Sequence, residues 1–390
     1  DEPKNLELVS VLSTTNYNDK EKVPDKKLSQ LLILFNSINL ANSNLESEDM
    51  LGDAYQYLIK QFADQGGKKG GEFYTPTEVV KIITNILKPQ EGDRIYDPTC
   101  GSGGMLVKCL DYLRNKGAEW QSVQVFGQEV NGLTSSIAQM NLYLNGVEDF
   151  SIACADTLEH PAFLDGSHLR KFDIVLANPP YSIKEWNREK FMNDKWGRNF
   201  LGTPPQGRAD YAFLQHIIAS MNETQGRCAI LFPHGVLFRD EELELRKKLV
   251  EMDILDCIIG LGANLFYNSP MEACILICNC SKANSKKNRV LMINAVNEVT
   301  RKNAESMLLA EHIQRIVNAY QQNRELDGFS RIVSNDEIRE KKFNLNISLY
   351  AYQSVLQDAL TVSKEDAINV WISSHSQCIN EMDELIKLIK

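Results

Sequence analysis

The residues best suited to chemistry stand at the ends of four short apolar runs. RIYD ends in Asp97, VQVFGQE in Glu129, SIACAD in Asp156 and FDIVLAN in Asn178. One acidic strand end means little. Four polar ends in successive runs describe one edge of a parallel sheet, and ligands bind outside the carboxyl ends of such strands. After Asp97 the text reads PTCGSGG, a glycine-rich turn that feeds a helix through Ser102, Gly103 and Gly104. Glycines let a ligand approach the backbone closely, and the first N–H groups of a helix receive a carboxylate or phosphate. The turn lacks both the GxGxxG spacing and the GK[ST] ending, so nicotinamide and nucleoside triphosphate cofactors lose ground. Glu129 is placed to accept two hydrogen bonds from a ribose diol. Asp156 can then accept from an adenine amino group.

The sharpest signal is Asn178-Pro179-Pro180-Tyr181 at the end of the fourth run. Two prolines direct the chain stiffly out of the sheet, because each fixes φ and removes a donor. An exocyclic amine on a base is a poor nucleophile, since its lone pair is delocalised into the ring. If the Asn178 side-chain oxygen and the Pro179 carbonyl accept the two amine hydrogens, the nitrogen moves towards tetrahedral geometry and its lone pair is freed. Tyr181 offers an aromatic face to a base flipped out of the duplex, whose unstacking costs a few kcal/mol. A sulfonium methyl group held by the glycine turn would lie in line with that nitrogen, and positioning carries much of the rate. S-adenosylmethionine is the expected methyl donor, and no metal is required.

These residues need a framework, and the chain supplies one. Short β-rich runs alternate with amphipathic stretches from about residue 70 to 280, and RCAILFP, ILDCIIG and EACILIC bring the runs to seven. Most are nearly continuous in apolar residues, as expected of strands covered on both faces. The early spacings leave room for crossover helices, such as MLVKCLDYLRNKG and SSIAQMNLYLNG. The fold expected is α/β: a doubly wound, mostly parallel, seven-stranded Rossmann-like sheet with an antiparallel last strand. Residues 1–69 read as a helical N-terminal region ending at the GGKKGG break, 70–281 as the catalytic domain, and 282–390 as a mainly helical region for partner docking, with one further strand-like run, RVLMINAV.

Composition sets bounds on function. A formal charge of −10 argues against a chain that grips DNA unaided, because non-specific affinity comes from cations displacing counterions. Local basic patches or a partner must then supply the grip. No apolar run nears the roughly 20 residues of a membrane span. The chain opens on Asp1 with no signal-like segment, so it reads as trimmed, not secreted, and cytoplasmic. Nine cysteines, an odd number without zinc spacing, read as reduced core residues.

The motifs DPTCGSGG, GQEVN, ADTL and NPPY, in that order, resemble those of amino-group DNA methyltransferases. GEFYTP (71–76), GRADYAFLQH (207–216), FPHGVLF (232–238) and FNLNISLY (343–350) are further similar to the modification subunit of type I restriction-modification systems. The likeness covers roughly residues 50 to 350. It implies that Glu72, Phe73, Tyr74, Thr75, Pro76 and Thr77 contact S-adenosylmethionine together with Ser102, Gly103, Gly104 and Glu129. It also implies that Asn178, Pro179, Pro180 and Tyr181 hold the target, with adenine rather than cytosine indicated by Asn178. Family members act on double-stranded DNA, two modification subunits to one specificity subunit, with a restriction subunit joining to cut. They are usually longer at the N-terminus, and an IPT-like segment is replaced here by NSPMEACILI.

Other features carry less. Lys184, Arg188, Lys190, Lys195, Arg198 and Arg208 are interleaved with Trp186, Phe191, Trp196 and Phe200, a mixture that suits phosphate and base contacts. His216 and His234 read as structural or substrate-edge residues. Residues 366–390 have the pattern of an interaction helix. Two other functions fit parts of the pattern: the same NPPY chemistry on RNA or on a protein glutamine amide, and a non-catalytic scaffold that keeps the fold.

Overall fold

The computed structural model describes residues 18–21, 23–39, 50–65, 74–266, 271–302, 305–352 and 368. The expected cofactor residues Glu72 and Phe73, the GGKKGG break and the terminal helix lie outside them. Two units divide the chain, Asp1–Ala351 and Tyr352–Lys390, and only Tyr352 and Ile368 of the second are described.

The first unit is built on one large sheet. Its strands are β1 (Arg94–Asp97), β2 (Gln124–Glu129), β3 (Phe150–Cys154), β4 (Ile174–Ala177), β5 (Arg227–Pro233), β6 (Leu255–Leu261), β7 (Ala273–Asn279), β8 (Arg289–Ala295) and β9 (Ser330–Ser334). They lie in the order 9-8-6-7-5-4-1-2-3. Neighbours from β3 to β5 are parallel, whereas β7 runs antiparallel between β5 and β6. The expected antiparallel last strand is therefore present, and the sheet continues past seven strands. RVLMINAV forms β8, parallel to β6, and SRIVS closes the edge as antiparallel β9. Arg289–Ala295 and Ser330–Ser334 thus belong to the same sheet as the strands that carry the motifs, so that sheet continues beyond residue 281.

Strand parity explains the two-sided core. Successive side chains point to opposite faces. Ile95, Ile174 and Leu176 fall on one face, covered by α3 (Thr77–Leu87), α4 (Gly104–Arg114), α5 (Gly132–Leu144) and α9 (Ala310–Gln322). Tyr96, Val175 and Ala177 fall on the other, under α7 (Asp210–Ser220), α8 (Leu243–Glu251) and α10 (Asn335–Glu340). Every residue of β4 and β6 is buried, which is why these runs show no polar alternation. Cys228, Cys257, Cys274 and Cys278 are buried free thiols in this core.

Among the described residues, α1 (Asp25–Asn36) and α2 (Met50–Gln65) come before α3 in the chain. Among the described residues, no helix is long and apolar enough to cross a membrane. A short helix, α6 (Arg188–Met192), lies in the long segment after β4.

Candidate functional site

The carboxyl ends of β1 to β4 converge on two adjoining cavities. The larger, of about 360 Å³, is lined by Glu129, Val130 and Asn131 after β2, Asp156 after β3, and Asn178 and Pro180 after β4. The smaller, of about 20 Å³, is lined by Tyr74, Thr75, Asp97, Ser102, Gly104 and Asn178, among others. Asn178 and Thr99 border both. The sheet has therefore brought the four polar strand ends together, as their spacing required.

Local geometry explains the glycines. Gly101 and Gly103 sit at φ 53° and 77°, in the left-handed region that other residues enter at a cost. Gly103 is the N-cap of α4, and a Cβ there would only touch Ala138 at 3.4 Å, so the positive φ is what calls for glycine. The backbone of Cys100 donates to the Gln128 carbonyl at 2.9 Å, docking the turn onto β2.

Glu129 braces this turn with both oxygens. Oε2 accepts from the Gly101 amide at 3.2 Å and Oε1 from the Asn131 amide at 2.8 Å. Each oxygen keeps a second lone pair for a ligand. Burial raises the Glu129 carboxyl above the usual range, against the opposing pull of those amides. Asp97 is fully enclosed, 1% exposed, and accepts from the Thr99 amide at 2.9 Å. Its removal from water, helped by nearby Glu129, pushes its pKa up to about 8. Asp156 is exposed, and its Oδ1 accepts from the amides of Leu158 and Glu159 at 2.8 and 3.0 Å.

The corner after β4 is nearly enclosed. Asn178 is 9% exposed, and its Nδ2 donates to Thr75 Oγ1 at 3.0 Å. In this orientation the amide nitrogen faces Thr75 and Oδ1 is left as the acceptor end. Pro179 is buried and Pro180 walls the larger cavity. Tyr181 is half-buried; its Oη is enclosed without a hydrogen-bond partner, and burial raises its pKa well beyond the ordinary phenol value. Pro76 is the N-cap of α3, whose first residue Thr77 meets the Tyr74 hydroxyl at 3.0 Å.

Several contributors escaped the sequence reading. Asn141, wholly buried on α5, donates to the Ser102 carbonyl at 2.8 Å and accepts from Gln56 of α2 at 2.9 Å. Helix α2 is thereby linked through one amide to the glycine turn. Ile183 and Phe213 supply apolar walls to the larger cavity. In sequence they were indistinguishable from core residues.

Within the basic and aromatic segment, several members turn inward instead of facing a ligand. Arg198 is 1% exposed and forms a buried ion pair with Asp194 at 2.7 Å. Its guanidinium also donates to the carbonyls of Thr157 at 2.9 Å and Leu158 at 2.7 Å, supporting the loop that carries Asp156. Arg188 donates to the Pro204 carbonyl at 2.8 Å, and Trp186 to that of Gln206 at the same distance. Phe191 is buried. Lys184 and Lys195 remain exposed. His216 lies between Tyr96 at 3.2 Å and Arg198 at 3.3 Å, and burial, reinforced by Arg198, holds it neutral. His234 pairs with Glu272 at 3.4 Å, with burial still lowering its pKa.

Comparison with known proteins gives a consistent result. The sequence model described as N-6 DNA Methylase matches residues 46–359. The chain is 33% identical over 374 residues to the type I restriction enzyme MjaVII methylase subunit of Methanocaldococcus jannaschii, covering 92% of this chain and 62% of that one. It is 32% identical over 350 residues to the MpnII methylase subunit of Mycoplasma pneumoniae, covering 86% and 63% respectively. It thus spans less than two thirds of either relative's length. Among solved structures, the type I restriction-modification methyltransferase subunit of Streptococcus thermophilus superimposes with a TM-score of 0.78 at 34% identity, covering 87% of this chain and 72% of that one.

Proposed function

The chain belongs to the N-6 DNA methylase family, and we propose that it is the modification subunit of a type I restriction-modification enzyme, methylating the N6 amino group of adenine in double-stranded DNA. The observation that carries this reading is the position of Asn178, at the junction of the two cavities with its amide nitrogen engaged by Thr75.

The residues fit S-adenosylmethionine. A two-part cavity, two left-handed glycines, the open N-terminus of α4 and a carboxylate with spare lone pairs suit an elongated nucleoside carrying an amino acid. Glu129 would take the ribose diol and Asp156 the adenine amino group. The amides at Ser102, Gly103 and Gly104 would take the carboxylate, with Tyr74, Thr75, Pro76 and Thr77 closing the methionine end and Asp97 facing the cationic side. When bound, the cofactor supplies an electrophilic methyl group on a sulfonium.

The chain's own task is to prepare the nucleophile. Asn178 Oδ1 and the Pro179 carbonyl accept the two amine hydrogens, which disfavours the planar, resonance-stabilised amine. Tyr181, partly buried beside the corner, would stack on the flipped base and offset part of the unstacking cost. The proton leaves to water once nitrogen is alkylated, so neither His216 nor His234 is needed, nor is a metal. With a charge of −10, the chain relies on a specificity subunit for recognition and grip, two modification subunits flanking one specificity subunit in the cytoplasm, with a restriction subunit joining to cut.

Mapping of modified bases in DNA from cells that express the full-length chain with its specificity partner tests this reading. N6-methyladenine at one recurring sequence is expected. Methylation confined to cytosine, RNA or protein would reject it.

A further inference from the structure

The residue after the NPPY corner is held in an unusual way. Ser182 is a non-glycine residue at φ 52°, a left-handed conformation that persists only where its surroundings enforce it. The Ser182 amide donates to Asp210 Oδ1 at 2.8 Å, and its hydroxyl donates to Oδ2 at 3.3 Å. Asp210 is 1% exposed, in the first turn of α7, 28 residues along the chain. Arg239 completes the group, donating to Asp210 Oδ2 at 2.8 Å and to Ser182 Oγ at 3.3 Å.

Arg239 is itself confined. It lies so close over Gly235 that a Cβ there would meet its Nε at 2.5 Å. On its other side stands Glu242, fully buried, 3.5 Å from Nη1, with neither carboxylate oxygen in a hydrogen bond. Two buried carboxylates thus face one guanidinium, an arrangement costly to maintain for packing alone. None of these residues borders either cofactor cavity.

We propose that Asp210 is a positioning residue for methyl transfer, clamping Ser182 directly and together with Arg239, so that the Asn178–Tyr181 corner is fixed at both ends. Strand β4 anchors the corner upstream and the clamp anchors it downstream. Without the clamp, Ser182 relaxes out of the left-handed region and the Pro179 carbonyl and Tyr181 ring lose their common orientation. Misplacement by about 1 Å costs on the order of 100-fold in rate. This inference rests on the proposed methyltransferase reading and deepens it.

The test uses the full-length chain assembled with its specificity subunit. Asp210→Asn keeps shape and one acceptor while removing the charge that Arg239 meets. Single-turnover transfer from S-adenosylmethionine to a duplex bearing the recognition sequence is expected to slow by about 10- to 100-fold. Calorimetric affinity for S-adenosylmethionine is expected to stay within about threefold, a change worth well under 1 kcal/mol. By hydrogen exchange, the Ser182 amide opens about tenfold faster while β2 keeps its protection. Arg239→Lys falls between Asp210→Asn and the unaltered chain. A normal transfer rate in Asp210→Asn overturns the proposal, as does a uniform loss of protection and cofactor affinity. If Asp210→Asn fails to fold, Arg239→Lys decides in the same way. Should the unaltered assembly fail to methylate DNA, the functional reading falls, while exchange at Ser182 still decides whether the clamp exists.

Discussion

The strand-end edge and the segment from 182 to 208 are both rich in polar side chains, and they use them in opposite ways. At the strand ends, Asp97, Glu129, Asp156 and Asn178 converge on two cavities. In the later segment, Arg198 and Arg188 turn inward and spend their donors on backbone carbonyls. The difference comes from topology. A parallel sheet leaves its carboxyl edge open, so a polar residue there meets a ligand. A long connection between strands must satisfy its own buried backbone groups, and arginine, with five donors, does that well.

The comparison breaks most sharply at Arg198. Arg198→Met leaves Asp194 buried and unpaired, which costs about 3–5 kcal/mol for such a pair, and it frees the carbonyls of Thr157 and Leu158. A large drop in the denaturant midpoint is expected, with the salt dependence of DNA binding unchanged. If stability holds while the salt slope falls by about one, Arg198 is a phosphate contact after all.

Asn178 gives the opposite signature. Asn178→Ala removes an acceptor from the reacting amine and is expected to lower single-turnover methyl transfer by about 10²- to 10³-fold, the scale for deleting one preorganised polar contact. Folding and measurable cofactor binding should survive. Transfer at near-normal rates would remove Asn178 from the chemistry. Glu129→Ala comes next: losing charged hydrogen bonds, about 1.5–3 kcal/mol, is expected to weaken S-adenosylmethionine binding by calorimetry. Unchanged affinity would reject the ribose assignment.

The same contrast explains what was legible beforehand. Runs such as FDIVLAN and RCAILFP are strands because only burial on both faces tolerates so many apolar residues in succession. Strand β9, SRIVS, lies at the sheet edge with mixed burial, so its pattern resembles a loop. Asn178 and the glycine turn were legible because few other roles need those residue types together. Asn141, Asp210 and Arg239 were not: each lies on or beside a helix where an amide or charge ordinarily faces water. Only contacts such as those of Asn141 with Ser102, 39 residues away, and with Gln56, 85 away, reveal their work. Arg198 misled for the converse reason, since a basic residue among aromatics has the same composition whether it faces phosphate or carbonyl.

The smallest expected effect concerns Asp97, whose burial separates the cofactor edge from an ordinary polar surface. Burial pushes the Asp97 carboxyl up to about 8, far above the ordinary carboxylate range. The folded state therefore holds a proton that the unfolded chain has released. That contribution to stability is complete below about pH 4 and is lost as pH rises through about 8. A cationic ligand beside Asp97 favours the carboxylate, so binding at pH 7 should expel up to one proton. The window is best kept at pH 6 to 7, because the cofactor's own α-amino group titrates near about 7.7–8.0. Calorimetry in two buffers of different ionisation enthalpy reads the released proton directly, and Asp97→Asn should abolish it. Binding heats independent of buffer in the unaltered protein would show that the cofactor's positive end lies elsewhere, and the small cavity would lose its assignment as the methionine side.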